Sequence, residues 1–394
     1  MANKKLMSEA IEPFRINVPD RILGDLRNRL IRTRFLDEVN DDEWSYGTSL
    51  AYLRELCDYW SQGFDWRAQE AILNRFDQFT TGIDDLKLHF IHMRSKEPDA
   101  LPLLITHGWP SSIAEFAKII GPLTNPVLHG GEARDAVHVI CPSVPGFGFS
   151  EAARKPGMGL EQIAKIEAKL MARLGYERYG VQGGDWGSWI SQMIGIVDSA
   201  HCIGIHCTYV IADPPEGEEN PIEGLSSQEL AYLDDNRKFQ MDGRGYAYIQ
   251  GTKPQTIGYA LNDSPAGLAS WIIEKFRAWS DCEGDIETRF TKDELLTNIT
   301  IYWVTETITS SARLYREDAH LLFQRDGSVR SVNKDMPTGV AVFPGESRKA
   351  PRRWIEKRYN LQQWTEMPSG GHFAALEEPE LLVSDMRSFF RKVR

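Results

Sequence analysis

Five residues near the middle of the chain, Gly183-Gly184-Asp185-Trp186-Gly187, constrain the fold more than any other feature. They stand between an apolar run at Tyr179 to Gln182 and a stretch rich in small residues that reads as a helix from about Ser188. The pattern G-x-Nu-x-G in that setting is a nucleophile elbow, a strand-to-helix turn too tight for Cβ atoms that lifts its central side chain above a sheet. The central residue is usually Ser. Here it is Asp185. A bare G-x-x-x-G is common by chance, so its weight comes from its position after a strand and before a helix.

The surrounding text agrees. Leu101 to Thr106, Val137 to Cys141, Cys202 to Val210, Gly339 to Phe343 and residues 361–366 are short apolar runs, with a helix over about 160–174. Such runs alternating with helices predict a mostly parallel sheet covered on both faces. From Ala212 the texture changes. Asp213-Pro214-Pro215-Glu216-Gly217 and Asn220-Pro221 interrupt the chain, and helical segments run to about Asp318. Ahead of the α/β pattern, residues 17–35 form an amphipathic helix with Ile22, Leu23, Leu26, Leu30 and Ile31 at helical spacing and Asp20 as its expected N-cap. Helices at 50–62 and 66–75 follow, then an extended stretch from Phe79 to Met93 opened by a turn at Gly82 to Asp85. His89 and His92 lie there, but strand alternation puts residues three apart on opposite faces, which argues against a metal pair. The expected organisation is an arm over 1–90, an α/β core over 91–212 and 321–394, and a helical lid over 213–320.

Composition removes several function classes. The net charge is −11 with no long Lys/Arg run, a poor match to a phosphate backbone, so no nucleic-acid partner is expected. Five scattered cysteines with no C-x-x-C argue for a reducing compartment. The charged N-terminus lacks an apolar signal region, and no run of about 18 apolar residues occurs, so the expectation is a cytoplasmic protein with no membrane partner. The 11 Trp imply either a large core or an aromatic-lined pocket.

Two further segments complete a catalytic pattern. His107-Gly108-Trp109-Pro110 ends an earlier strand, where a backbone N–H for an oxyanion hole is expected. Gly370-Gly371-His372-Phe373 places a histidine near the C-terminus, giving the order nucleophile, acid, histidine. Taken alone, one of nine histidines is more often structural. The acid candidate is Glu346, just past the 339–343 strand, with Asp335 and Glu366 as less well placed runners-up.

At these residues the chain resembles the microsomal-type epoxide hydrolases, a group that includes the juvenile-hormone epoxide hydrolases. The likeness covers nearly the whole chain. It is carried by residues 14–35 (FRINVPDRILGDLRNRLIRTRF), the HGWP turn, GGDWG, the lid stretches 245–254 (GYAYIQGTKP) and 260–265 (ALNDSP), SSARLY at 310–315 and GGHFAA at 370–375. The lid stretch is the most specific, because a generic α/β-hydrolase fold does not require it. The resemblance implies an α/β-hydrolase fold with Asp185 as nucleophile, His372 as base, Glu346 as its acid partner, and Tyr246 and Tyr315 holding the epoxide oxygen. In this chain Ser111-Ser112 follows HGWP where the family usually has Gly-Ser. The family's eukaryotic members carry a membrane anchor ahead of the arm, whereas this sequence starts at the arm, so membrane attachment is not expected.

The implied chemistry suits these residue types. A carboxylate can displace an epoxide oxygen in line and leave a hydrolysable ester, whereas a Ser hydroxyl would leave an ether. Two phenols can hold and protonate the departing oxygen. Water activated by His372 then attacks the ester, with the oxyanion held by the N–H groups of Trp109 and Trp186, and Glu346 steadies the imidazolium. Neither step calls for a metal or cofactor; the partners are a small-molecule epoxide and water. Polycyclic natural-product epoxides are one substrate class suggested by the aromatic content around the motifs, and both detoxification and biosynthesis would suit. A homodimer is compatible with an arm free to wrap a neighbouring subunit or its own lid. A dehalogenase shares the Asp elbow, and Trp186 could donate to halide, but a departing halide needs no tyrosine proton. A non-catalytic receptor would be expected to have lost part of the constellation, and a serine esterase would need Ser at the elbow.

Overall fold

The computed structural model describes residues 8–39, 44–215, 217–319 and 332–394. The basic start at Lys4 and Lys5, Glu216, and the expected lid end at residue 320 lie outside them. One nine-stranded sheet runs through the molecule in the order β1-β2-β3-β5-β4-β6-β7-β8-β9. Its strands are β1 (Glu12–Phe14), β2 (Gln78–Ile83), β3 (Leu86–Met93), β4 (Leu101–Thr106), β5 (Val137–Pro142), β6 (Tyr179–Gly183), β7 (Cys202–Cys207), β8 (Pro337–Val342) and β9 (Asn360–Glu366). From β5 to β9 every pairing is parallel; β1, β2, β3 and the β3–β5 junction are antiparallel.

The extended stretch at 79–93 is therefore a hairpin. Asp84 and Asp85 both take positive φ, 50° and 65°, the backbone that a two-residue turn needs to match strand twist. The helix over 17–35 is shorter than its periodicity: α1 spans Asp20–Ile31, with Leu26 and Leu30 buried and Ile31 exposed. Pro19, not Asp20, holds the cap position. Asp20 is the first helical residue, and its carboxylate is taken by Arg67 on a neighbouring helix. The arm continues with α2 (Leu50–Gln62) and α3 (Trp66–Leu73).

Alternation along the strands sorts the core into two layers. Leu103, Ile105, Val139, Cys141, Ala341 and Phe343 face one way, onto Ile120 and Leu123 of α4 (Ile120–Thr124) and Met386, Phe389 and Phe390 of the C-terminal helix Pro379–Val393. Leu104, Ile140, Val181, Ile205 and Val340 face the other way, onto α5 (Leu160–Arg173) and α6 (Asp185–Val197). Burial on both faces explains why these strands read as continuous apolar runs.

Between β7 and β8 come α7 (Ser227–Lys238), α8 (Gly245–Thr252), α9 (Pro254–Asp263), α10 (Pro265–Trp279), α11 (Lys292–Thr305) and α12 (Ile308–Glu317). The arm grips this layer from outside. Tyr59 donates to Asp293 at 2.8 Å, Trp60 Nε1 to Thr300 Oγ1 at 3.0 Å, Thr48 Oγ1 to the Ser270 carbonyl at 2.7 Å, and Arg29 bonds Asp263. No helix among the described residues is long and apolar enough to cross a membrane.

The tightest packing is at the elbow. A Cβ on Gly187 would overlap the Thr106 carbonyl oxygen, and one on Gly183 would overlap the Gly187 backbone. Neither obstacle is a flexible side-chain tip. Gly187→Ala should cost roughly 3 kcal/mol or more of stability. Urea unfolding would show a lower midpoint, and an unchanged midpoint would mean that β4 and α6 can separate freely.

Candidate active site

Four parallel strands deliver the site at their C-terminal ends, where ligands bind in open α/β sheets. β4 leads into His107-Gly108-Trp109, β6 into Asp185, β8 into Glu346 and β9 into His372. The helix after β6 starts at Asp185 itself, three residues earlier than its composition suggests. Asp185 takes φ 47°, a strained backbone for a residue with a Cβ. Gly108 passes so close that any side chain there would overlap the Asp185 carboxylate.

That carboxylate is held from two sides. Oδ1 accepts from the Trp109 backbone N–H at 2.8 Å, and Oδ2 stands 3.5 Å from His372 Nε2. His372 Nδ1 lies 2.9 Å from both oxygens of Glu346. Glu346 is further anchored by the Ser347 N–H at 2.6 Å and Ser347 Oγ at 2.8 Å. The side chains of His372 and Glu346 are 4% and 3% exposed, so both charges interact in a poorly solvated setting. Of the runners-up, Asp335 lies ahead of β8 and Glu366 accepts from the Trp364 indole; neither is a hydrogen-bond partner of His372. Burial alone would lower the His372 pKa, but Glu346 and Asp185 outweigh it and hold the imidazole well above the ordinary histidine range.

Trp186 is the second residue of α6, so its N–H precedes any intrahelical acceptor, and its indole is buried edge-on to the Tyr315 ring at 4.8 Å. Tyr315 on α12 and Tyr246 on α8 meet with ring centroids 5.7 Å apart. Burial comes first in raising both phenols well above the usual tyrosine range; the Asp185 charge adds to it, so both stay protonated. Trp109 stacks on Tyr246 at 5.2 Å and 10° between planes. All seven residues singled out in the sequence therefore converge on one place.

Further neighbours complete the site. Glu115, on a short 3-10 turn after the HGWP loop, lines a small, tight cavity with Trp109, Ser111, Asp185 and His372, and burial pushes its carboxyl up to about 7. Glu377 accepts from the Phe373 N–H and, across to the lid, from the Asp281 N–H, each at 2.9 Å. Trp279, the last residue of α10, packs edge-on to His372 at 5.0 Å, and its carbonyl accepts the His372 N–H at 2.8 Å. In the sequence Glu115 and Glu377 are two glutamates among many, while Trp279, with Tyr248 and Trp271, is a lid aromatic that could line a pocket. His89 and His92 serve the core: His89 lies between Ser143 and Gln78, and His92 bonds Tyr176. Among the described residues no cluster could hold a metal ion.

The His372 shift gives a titration prediction. A histidine whose folded pKa is raised contributes stability fully present below its unfolded value, near 6.5, and lost as pH rises through the folded value. In Asp185→Asn the anion beside Nε2 is gone, so the imidazole should titrate at lower pH than in the native protein. Imidazole C–H shifts measured by NMR would show this, and an equal or higher midpoint would contradict the pairing.

Comparison with known proteins bears on the fold and the family. Residues 11–116 match the family described as Epoxide hydrolase N terminus, and residues 102–229 the family described as alpha/beta hydrolase fold. Epoxide hydrolase 1 of Sus scrofa is 40% identical across 97% of this chain and 88% of its own length. The crystal structure of juvenile hormone epoxide hydrolase from the silkworm Bombyx mori superimposes with a TM-score of 0.90 at 31% identity, covering 98% of this chain and 96% of that one. The epoxide hydrolase of Aspergillus niger gives 0.87 at 32%, covering 99% and 98%.

Proposed function

The chain belongs to the epoxide hydrolases, enzymes of the α/β-hydrolase fold, and on that premise we propose that it opens its substrate through a covalent ester on Asp185. The observation that carries this reading is the Asp185 carboxylate itself, with one oxygen on the Trp109 N–H and the other beside His372. The bonded oxygen becomes the ester carbonyl. The other attacks an epoxide carbon, the ring C–O bond breaks, and the departing oxygen takes a proton from Tyr246 or Tyr315. Water then attacks the ester carbonyl carbon and gives its proton to His372. The Trp109 and Trp186 N–H groups stabilise the oxyanion, and collapse releases a vicinal diol and restores Asp185.

The charges favour this order of events. In the resting site two carboxylates keep a proton on His372. Esterification removes the charge of one of them, so the imidazole passes its proton to the tyrosinate left by ring opening and can serve as base for the second step. The surrounding rings of Trp109, Trp186, Tyr246 and Trp279 favour epoxides bearing bulky apolar or aromatic groups. Tyr315, packed edge-on against Trp186 and facing Tyr246, weighs against a dehalogenase, because the pair of phenols supplies a proton that a departing halide does not need. In the same reading the chain divides into an arm over 1–90, a lid over 213–320 and a core from the remainder. Five buried, unpaired cysteines fit work in the reducing cytoplasm.

The test is a single turnover in oxygen-18 water. The first diol should carry an unlabelled enzyme oxygen while label enters Asp185; diol formed with Asp185 unlabelled would overturn the covalent route. His372→Ala should retain the ester, seen as an increase in intact protein mass equal to the epoxide.

The two phenols make a separate prediction. Tyr246→Phe or Tyr315→Phe should each slow ester formation by about 10-fold, and the double change by about 1,000-fold or more. Rapid-quench mass spectrometry measures all three. A double variant no slower than the singles would mean that only one phenol acts.

A further inference from the structure

Lys275 is buried in the lid helix α10, among Ile272, Ile273 and Phe276, at a position where an apolar side chain would cost nothing to bury. The residue is 7% exposed, and its ammonium pairs with the neighbouring Glu274 carboxylate. The ammonium nitrogen stands 4.7 Å from the centroid of the Tyr246 ring and 6.0 Å from that of Trp279, one helical turn on. Tyr246 and Trp279 themselves touch at 5.2 Å. The catalytic phenol is thus gripped twice, by Trp109 stacked parallel to its ring and by a cation over it. A cation above a desolvated aromatic face is attracted to the ring's negative quadrupole, and the attraction grows as the ring gains negative charge.

We infer that Lys275 is a positioning residue for ring opening. Its ammonium fixes the Tyr246 ring against Trp109, so that the hydroxyl stays aimed at the departing oxygen, and it offsets the negative charge that reaches the phenol when the proton leaves. Lys275 does not touch the substrate; it acts through Tyr246. Arg244 also faces this phenol from the lid, with its guanidinium over Tyr248 at 5.6 Å, and its charge acts to lower the Tyr246 pKa. His372 and Glu346 serve the second half of the reaction, in which Tyr246 gives up no proton, so Lys275 should leave that half alone. The inference rests on the covalent reading and on Tyr246 as proton donor.

The experiment separates the two half-reactions on styrene oxide as probe, by rapid quench and intact mass. Lys275→Met keeps the length of the stem and removes the charge. It should slow ester formation by about 10-fold while ester hydrolysis stays within about 2-fold. Lys275→Arg restores a cation over the ring and should return ester formation to within about 3-fold of the native rate. If Met and Arg slow ester formation equally, or if both half-reactions change together, Lys275 only fills space and the inference falls. If Lys275→Met does not fold, Lys275→Gln carries the same comparison, because it too removes the charge. Absence of any ester adduct in the native enzyme would instead overturn the covalent reading, so the two failures are distinguishable.

Discussion

The structure depends on one close approach, between the end of β4 and the start of α6. Gly187 lies against the Thr106 carbonyl, Gly183 against Gly187, and Gly108 against the Asp185 side chain. Three missing Cβ atoms let two backbone segments meet, and the remaining side chain, Asp185, is left standing at φ 47° with its carboxylate on the Trp109 N–H. The strain is local and is held by packing on every side. Both strands must end at the same height for this to happen, and the parallel register sets that height by pairing Thr106 with Gly183.

The same region carries the lid. Asn298 Nδ2 donates to the Pro110 carbonyl and the Tyr302 hydroxyl to the Ser111 carbonyl, each at 2.7 Å, so α11 holds the loop that follows Trp109. On the other side of the site, the end of α10 is tied to the histidine loop. Asp281 receives the Gly370 N–H and pairs with Arg289, which also pairs with Glu378. The lid and the two catalytic loops thus share hydrogen bonds, and the phenols sit at a fixed height above Asp185. The arm adds contacts to α10 and α11 from outside, which resist any independent swing of those helices.

Much of this was legible in the residues, for identifiable reasons. The elbow could be read because glycines at both ends of a five-residue turn have a steric cause that leaves few alternatives. The parallel strands could be read because burial on both faces writes them as apolar runs. Glu346 could be placed because acids of this kind follow a strand. Tyr246 and Tyr315 could not be derived from spacing, because they come from separate lid helices that meet only in three dimensions; family resemblance supplied them. Glu115, Glu377 and Lys275 were invisible for a related reason. Each matters through what it touches across long stretches of chain, and nothing local marks it. Element ends were misplaced by a residue or more, as at α1, where Pro19 holds the cap position and Asp20 is already helical, its carboxylate paired with Arg67.

The arm looks separable in the sequence, since the α/β rhythm starts only after it. Mechanically it is not a module. It supplies β1, β2 and β3, the antiparallel flank of the sheet, and it also buttresses α10 and α11, on whose far side the reacting groups are arranged. Removing it would expose a sheet edge and loosen the roof of the site in one stroke. The unit that can be inherited, swapped or shortened as a whole is therefore the entire arm, core and lid together, even though a reader of the sequence would draw a boundary near residue 90.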